Sequence, residues 1–172
     1  MTAALFIMLF SFRYFYRSAY PVKYQSSVEL ASSVNAVPVS LIYAVIRTES
    51  GFNPGAVSGA EATGLMQIRK DTFDWVQYRL GEEPAPFEIL FDGETNIRYG
   101  VALLSILIDE FGSIENAVCA YHAGWGSVKS WLNNPDYSPD GFNIENIPFG
   151  DTRQYLQKVM QTKKIYETLY PE

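Results

Sequence analysis

The sequence predicts an all-α domain, and three observations carry that prediction. Apolar residues recur at helical spacing along most of the chain after Pro21, no stretch alternates at period two, and Pro, Gly and Ser clusters cut the chain into short periodic segments. At 172 residues the chain fits one domain with its own core, and 48% apolar residues exclude disorder as its main state.

Taken in order, Val22 to Asn35 reads as a first helix. Pro38, placed for a first helical turn, opens a second that ends at Glu49. Residues 51–63 are rich in Gly, Ser and Ala and form a loop. Gly64 to Leu80 carries Leu65, Ile68, Thr72, Trp75, Val76 and Leu80 at helical spacing, and Glu82 to Glu94, with Pro84 and Pro86, is a connection. The clearest helix places Ile97, Val101, Leu104, Ile108 and Phe111 on one stripe and closes at Gly112. Ser113 caps the next helix, which stops at Gly124, and a short helix covers Ser127 to Leu132. After a long loop from Asn133 to Gly150, Asp151 or Thr152 caps a last helix with Tyr155, Val159, Thr162, Tyr166 and Leu169 on one face. The total is roughly seven short helices, with loops long enough to build a groove.

A net charge of −6 argues against nucleic-acid binding, which needs a basic surface. The 12 Tyr, 11 Phe and 3 Trp suit either a dense core or a groove that stacks rings. Cys119 and His122 are each the single residue of their type, so neither an internal disulfide nor a Cys/His zinc site is available. Cys119 lies in an apolar helical run without a cation to activate it and reads as a small buried hydrophobe.

Residues 1–20 form an apolar N-terminal segment and residues 21–172 the domain. The apolar run is shorter than the ~20 residues of a bilayer span, is interrupted at Arg13 and lacks a cleavage site. Arg13, Arg17 and Lys23 follow it, which the positive-inside rule disfavours for an exported domain. It reads as a truncated membrane anchor, a late-starting export signal or an extension packed on the domain, the first two being favoured.

Glu49 is the candidate that carries chemistry. Leu41, Val45 and Glu49 stand at i, i+4, i+8, with Ile42 and Ile46 beside them, so a carboxylate occupies the apolar face of the second helix. Burial disfavours its charged form and favours a group that still holds its proton near neutral pH, as a general acid must. The bland alternative is a Glu that frays into solvent at a helix end.

Four ordered segments resemble the motifs of the soluble-type (SLT) lytic transglycosylases of the lysozyme-like superfamily. They are Ile46-Arg47-Thr48-Glu49-Ser50-Gly51-Phe52-Asn53-Pro54; Ala56-Val57-Ser58 with Ala62-Thr63-Gly64-Leu65-Met66-Gln67-Ile68; Asn96-Ile97 with Ala120-Tyr121-His122-Ala123-Gly124; and Ile147-Pro148-Phe149-Gly150-Asp151-Thr152-Arg153-Gln154-Tyr155. The resemblance implies a lysozyme-like helical fold of the goose-type/SLT kind with a substrate groove, and Glu49 as the catalytic residue. It implies Ser58, Met66, Gln67, Tyr121 and His122 against substrate, with Ser50, Gly64, Asn96, Asp151 and Arg153 supporting. Asp151 and Arg153 read equally well as a cap and an ion pair. The sequence departs from the family pattern in having His122 for the Asn of A-Y-N-A-G, and Arg69-Lys70 where Met-Pro is usual.

What the resemblance further implies is cleavage of the N-acetylmuramic acid to N-acetylglucosamine bond of peptidoglycan strands, closing a 1,6-anhydro ring, with Glu49 as acid and then base and with no metal or cofactor. The protein is then an extracytoplasmic monomer of the cell envelope, with the N-terminal segment as its link to the membrane. The alternatives are a goose-type lysozyme-like hydrolase of the same bond and a wall-binding or assembly module without turnover.

Overall fold

A computed structural model describes residues 15–171. Residues 15–19 are helical, and the helices that follow are α1 (Gln25–Asn35), α2 (Val39–Glu49), α3 (Lys70–Leu80), α4 (Gly93–Phe111), α5 (Ile114–Ala123), α6 (Trp125–Leu132) and α7 (Gly150–Leu169), with a 3₁₀ helix at Phe87–Phe91 before α4. The all-α prediction holds. Two isolated antiparallel bridges, Val57 with Thr63 and Thr63 with Ile68, fold the loop between α2 and α3 onto itself.

The caps explain most boundaries. The Asp92 carboxylate accepts from the Thr95 N–H at 2.8 Å to start α4, and the Ser113 hydroxyl oxygen accepts from the Asn116 N–H at 3.1 Å to start α5. Gly112 and Gly124 end α4 and α5 at positive φ. Pro38 precedes α2 and its carbonyl accepts from the Leu41 and Ile42 amides.

Four boundaries differ from the sequence expectation. α1 begins at Gln25 instead of Val22, because Tyr24 takes φ 56° ahead of it. α3 begins at Lys70 instead of Gly64, since residues 63–68 form the bridged turn. α6 follows Gly124 at once, starting at Trp125. Phe149 stands at the α7 cap without a side-chain bond, while Asp151 lies in the first helical turn, where its carboxylate favours the helix dipole and accepts from the Thr152 N–H at 2.8 Å.

Helix α2 is enclosed on every side over Ser40–Ile46. It packs chiefly on α7, while α4 joins α1 to α5. Leu41, Ile42, Ile46, Leu65, Ile97 and Leu104 are fully buried, so the core runs from α2 through the turn to α4. Met66 fills the space above Gly100, where a Cβ would come within 2.4 Å of the Met66 sulfur.

Residues 15–20 pack on the ends of α2 and α7. Arg17 donates to the Leu169 carbonyl at 3.3 Å, the Tyr170 hydroxyl donates to the Tyr20 carbonyl at 2.9 Å, and the Arg47 guanidinium lies 4.1 Å from the Tyr20 ring centroid. The apolar run of residues 1–14, expected as an anchor or export signal, lies outside the described residues. Among the described residues no helix is long and apolar enough to cross a membrane.

Candidate active site

Glu49 is the last residue of α2 and is half-buried. The helix end is pinned by the next residue: the Ser50 hydroxyl donates to the Leu65 carbonyl at 2.7 Å, tying α2 to the turn of residues 63–68.

That turn is held by polar groups from two other helices. Asn96 of α4 is fully buried; its side-chain oxygen accepts from the Met66 N–H at 2.7 Å and its amide nitrogen donates to the Thr63 and Leu90 carbonyls, both at 2.9 Å. The Tyr121 hydroxyl of α5 donates to the Met66 carbonyl at 2.6 Å. Gly64 has φ 81°, and a Cβ there would meet the Asn96 amide nitrogen at 2.1 Å, so only glycine fits. Gln67 takes φ 51° and donates to the Ala56 and Gly64 carbonyls at 3.0 and 2.9 Å, leaving its amide oxygen as the polar atom it can still offer.

The direct partner of the acid comes from α7. The Tyr155 hydroxyl donates to Glu49 Oε1 at 2.6 Å. Burial pushes the Glu49 carboxyl up to about 7, against the opposing pull of the Tyr155 hydrogen bond and the Lys158 charge. Burial also raises the Tyr121 and Tyr155 phenols well above their usual range, and the Glu49 charge adds to this in both. Both phenols are therefore held as neutral donors at physiological pH.

His122 stacks on Tyr155, ring centroids 4.4 Å apart and planes at 21°, and its Nε2 lies 3.7 Å from an Asp151 carboxylate oxygen. The expected cap and ion pair of Asp151 and Arg153 is not formed: Arg153 donates to the Ile147 carbonyl at 2.6 Å, and Asp151 faces His122. The loop geometry gives the reason, because that donation straps Arg153 back over the residues that lead into α7.

Met66, expected against substrate, is enclosed in the core and contributes through its backbone alone. Ser58 accepts from the Ala60 and Ala62 amides at 3.2 and 3.1 Å, which shapes the loop and leaves its hydroxyl proton to donate. Glu49, Gln67, Tyr121 and His122 are thus gathered around one helix end, with Ser50, Gly64 and Asn96 behind them. Tyr155 was not singled out from sequence. Its signal was double membership, as the last residue of the fourth motif and as a core-facing position of the last helix.

The thiol of buried Cys119 is pushed up to about 12 by burial, with the Glu115 charge adding to it, which leaves no thiolate for nucleophilic chemistry. Among the described residues no group of three or more His, Cys, Asp or Glu is placed to hold a metal ion.

This carboxyl, held above its usual range at the end of a buried helix and facing a turn strapped by Asn and Tyr, invites comparison with known proteins. The profile of the transglycosylase SLT domain matches residues 26–141. The chain belongs to the SLT family. The match runs from α1 through α6 and includes Glu49, Ser58, Gln67, Asn96, Tyr121 and His122, whereas Asp151 and Tyr155 lie beyond it.

Among SLT relatives, the soluble lytic murein transglycosylase of Escherichia coli (strain K12) is 33% identical over 153 residues, covering 86% of this chain and 23% of that protein. Membrane-bound lytic murein transglycosylase C of Yersinia pestis (strain Pestoides F) is 36% identical over 166 residues, covering 84% and 46%. The chain thus spans about a quarter of the first protein and under half of the second. The 70 kDa soluble lytic transglycosylase of E. coli superposes with a TM-score of 0.82 at 30% identity, over 91% of this chain and 26% of that one, and it has also been solved with bulgecin A. An inactive mutant of lytic transglycosylase Slt from Pseudomonas aeruginosa gives a TM-score of 0.77 at 34% identity, over 87% and 24%. The lysozyme-like helical fold expected from the motifs is therefore the fold of the chain.

Proposed function

We propose that this domain is a peptidoglycan lytic transglycosylase that cleaves the bond between N-acetylmuramic acid and N-acetylglucosamine, with Glu49 as acid and then as base. The observation that carries this reading is the Glu49 carboxyl itself, raised to about 7 and bonded to a phenol. A carboxyl in that range is still protonated in a useful fraction near neutral pH, yet becomes a competent base once it has given its proton away.

The groups that act most strongly on Glu49 are Tyr155 and Lys158, neither of them a carboxylate. A glycosidase working with two acids places the second across the scissile bond. On this reading Glu49 works as the single acid, and the positive charge that develops at C1 is met by the 2-acetamido oxygen of the muramoyl ring. Glu49 protonates the bridging oxygen and the C1–O bond breaks. The resulting carboxylate then takes the proton of the muramoyl 6-hydroxyl as that oxygen bonds to C1, which frees the acetamido group. The net change is a bond rearrangement without water, helped by the high effective molarity of a nucleophile on the same sugar.

A cavity of about 390 Å³ lies between α3 and the α5–α6 corner; Glu49 does not line it, and Tyr121, which does, donates to the Met66 carbonyl of the turn that Ser50 ties to the end of α2. Trp75 and Trp125 with Leu103 and Leu107 give the cavity apolar walls suited to the faces of sugar rings. On this reading Gln67 and Ser58 orient the sugars nearer the acid, and the domain works on the cell envelope outside the cytoplasm.

Muropeptides released from purified peptidoglycan, analysed by mass spectrometry for the wild type and Glu49→Gln side by side, test the proposal. Anhydro-muramoyl ends from the wild type alone are expected. Reducing ends would replace the mechanism by hydrolysis, and release of products by Glu49→Gln at the wild-type rate would remove Glu49 from it.

A further inference from the structure

His122 stands where it can act on the acid without touching it. Its ring lies flat on Tyr155, with centroids 4.4 Å apart and planes at 21°, and the hydroxyl of that tyrosine is 2.6 Å from Glu49 Oε1. Tyr155 is buried within α7, while His122 is partly exposed on α5, so the imidazole forms the outer face of the phenol's slot. An Asp151 carboxylate oxygen, one helical turn before Tyr155, lies 3.7 Å from the imidazole Nε2. The contact therefore joins two helices across the site, α5 supplying the lid on a donor that α7 aims at the end of α2.

We propose that His122 is a positioning residue that acts through Tyr155, fixing the ring whose hydroxyl donates to Glu49. A phenol free to rock in its slot lengthens its bond to the carboxylate, and a short charge-assisted bond loses strength quickly with distance and angle. The stack removes that freedom. Its meaning for turnover rests on the reaction proposed above, whereas its effect on Glu49 does not.

The ionisable groups around this contact are few. Asp151 and Tyr155 face His122 from α7, Tyr121 is its neighbour on α5, and Glu49 of α2 is reached through Tyr155, with the Lys158 charge acting on Glu49 from the next turn of α7. The Tyr155 bond is the main influence that holds the Glu49 carboxyl down against burial. Loosening that bond therefore has one sign: Glu49 keeps its proton to higher pH.

Glu49 can be titrated directly by ¹³C NMR of glutamate-labelled protein, its resonance assigned by its loss in Glu49→Gln. The wild type is compared with His122→Ala, Tyr155→Phe, the double variant and His122→Phe, which keeps a flat ring on the stack. We expect His122→Ala and Tyr155→Phe each to move the Glu49 midpoint upward, by about half a pH unit or more. The double variant should match Tyr155→Phe alone, since both changes act through one bond. His122→Phe should recover at least half of the His122→Ala shift.

Three results would overturn the proposal. A downward shift in His122→Ala would make the imidazole a cover against water. Additive shifts in the double variant would mean a route that bypasses Tyr155. An unmoved midpoint accompanied by a raised KM would make His122 a substrate contact. If the wild type released no muropeptides while the midpoints moved as expected, the reaction would fall and the positioning role would stand.

Discussion

Glu49 and Glu82 each accept a hydrogen bond from a tyrosine, and they end in opposite states. Glu49 takes its bond from Tyr155 at 2.6 Å, Glu82 from Tyr99 at 2.7 Å. Burial pushes both upward, and for Glu49 it prevails, at about 7. At Glu82 the hydrogen bonds of Tyr99 and Arg98, together with the Arg98 charge, outweigh burial and bring the carboxyl below its usual range. The tyrosine is common to both sites, so it does not decide the outcome. A guanidinium bonded to the carboxylate decides it, and at Glu49 the cation is a more distant Lys158 that acts by charge alone. The acid proposed for catalysis and a carboxylate in a surface ion pair differ here by one neighbour and by depth.

The largest break in this comparison is Glu49→Gln. Turnover of peptidoglycan should fall by roughly 10³-fold or more, since general acid–base catalysis is itself worth 10²–10⁴. The same change should stabilise the fold at alkaline pH. A carboxyl raised from 4.5 to about 7 binds more protons folded than unfolded in that window, so wild-type stability declines as pH rises through it. The glutamine variant escapes this decline, and its melting temperature should exceed that of the wild type above pH 7, by the equivalent of roughly 1–3 kcal/mol, and match it near pH 4. Thermal melts at the two pH values check both signs.

Next in size is Asn96→Ala, which leaves the Met66 N–H and the Thr63 and Leu90 carbonyls without their partner in the core. Denaturant titration should show a loss of about 2–4 kcal/mol, with activity falling because the turn beside Glu49 loosens. Tyr155→Phe is smaller. The alkaline limb of the pH–rate profile, set by Glu49 losing its proton, should move to higher pH, because the donor that favours the carboxylate is gone. The smallest effect belongs to the other glutamate. Arg98→Met should raise the Glu82 titration midpoint, cost less than about 1 kcal/mol and leave peptidoglycan turnover within about twofold of wild type. A large activity loss there would show that the two carboxylates are not independent.

Much of this was legible from local pattern. Glu49 on an apolar helical stripe, the stripe of α4 and the Ser113 cap all follow from spacing along the chain, which fixes helix faces. Residues 64–68 read as helix from sequence and fold as a turn, because Leu65 and Ile68 have the same spacing in both. What decides it is Asn96, some thirty residues away, whose side chain takes the place of helical backbone bonds. Met66 was placed on the substrate side by its motif, and only the depth of the Gly100 cleft shows that it faces inward. Tyr155 hid among core positions, since a buried phenol and a buried catalytic partner share a face of α7. The Asp151–Arg153 pair failed for a related reason: proximity in sequence says nothing about which carbonyl an arginine will reach.

The Asn96 anchor also bears on how the molecule breathes. An amide whose acceptor is a buried side chain of the central helix is released to solvent only when that helix parts from the turn. The Met66 N–H should thus exchange with deuterium about as slowly as the interior of α4, and far more slowly than an amide in the exposed stretch around Gly59. Opening of the turn that Ser50 ties to α2 and loss of the fold would then be one event, and a molecule that is folded at all has that turn already in place.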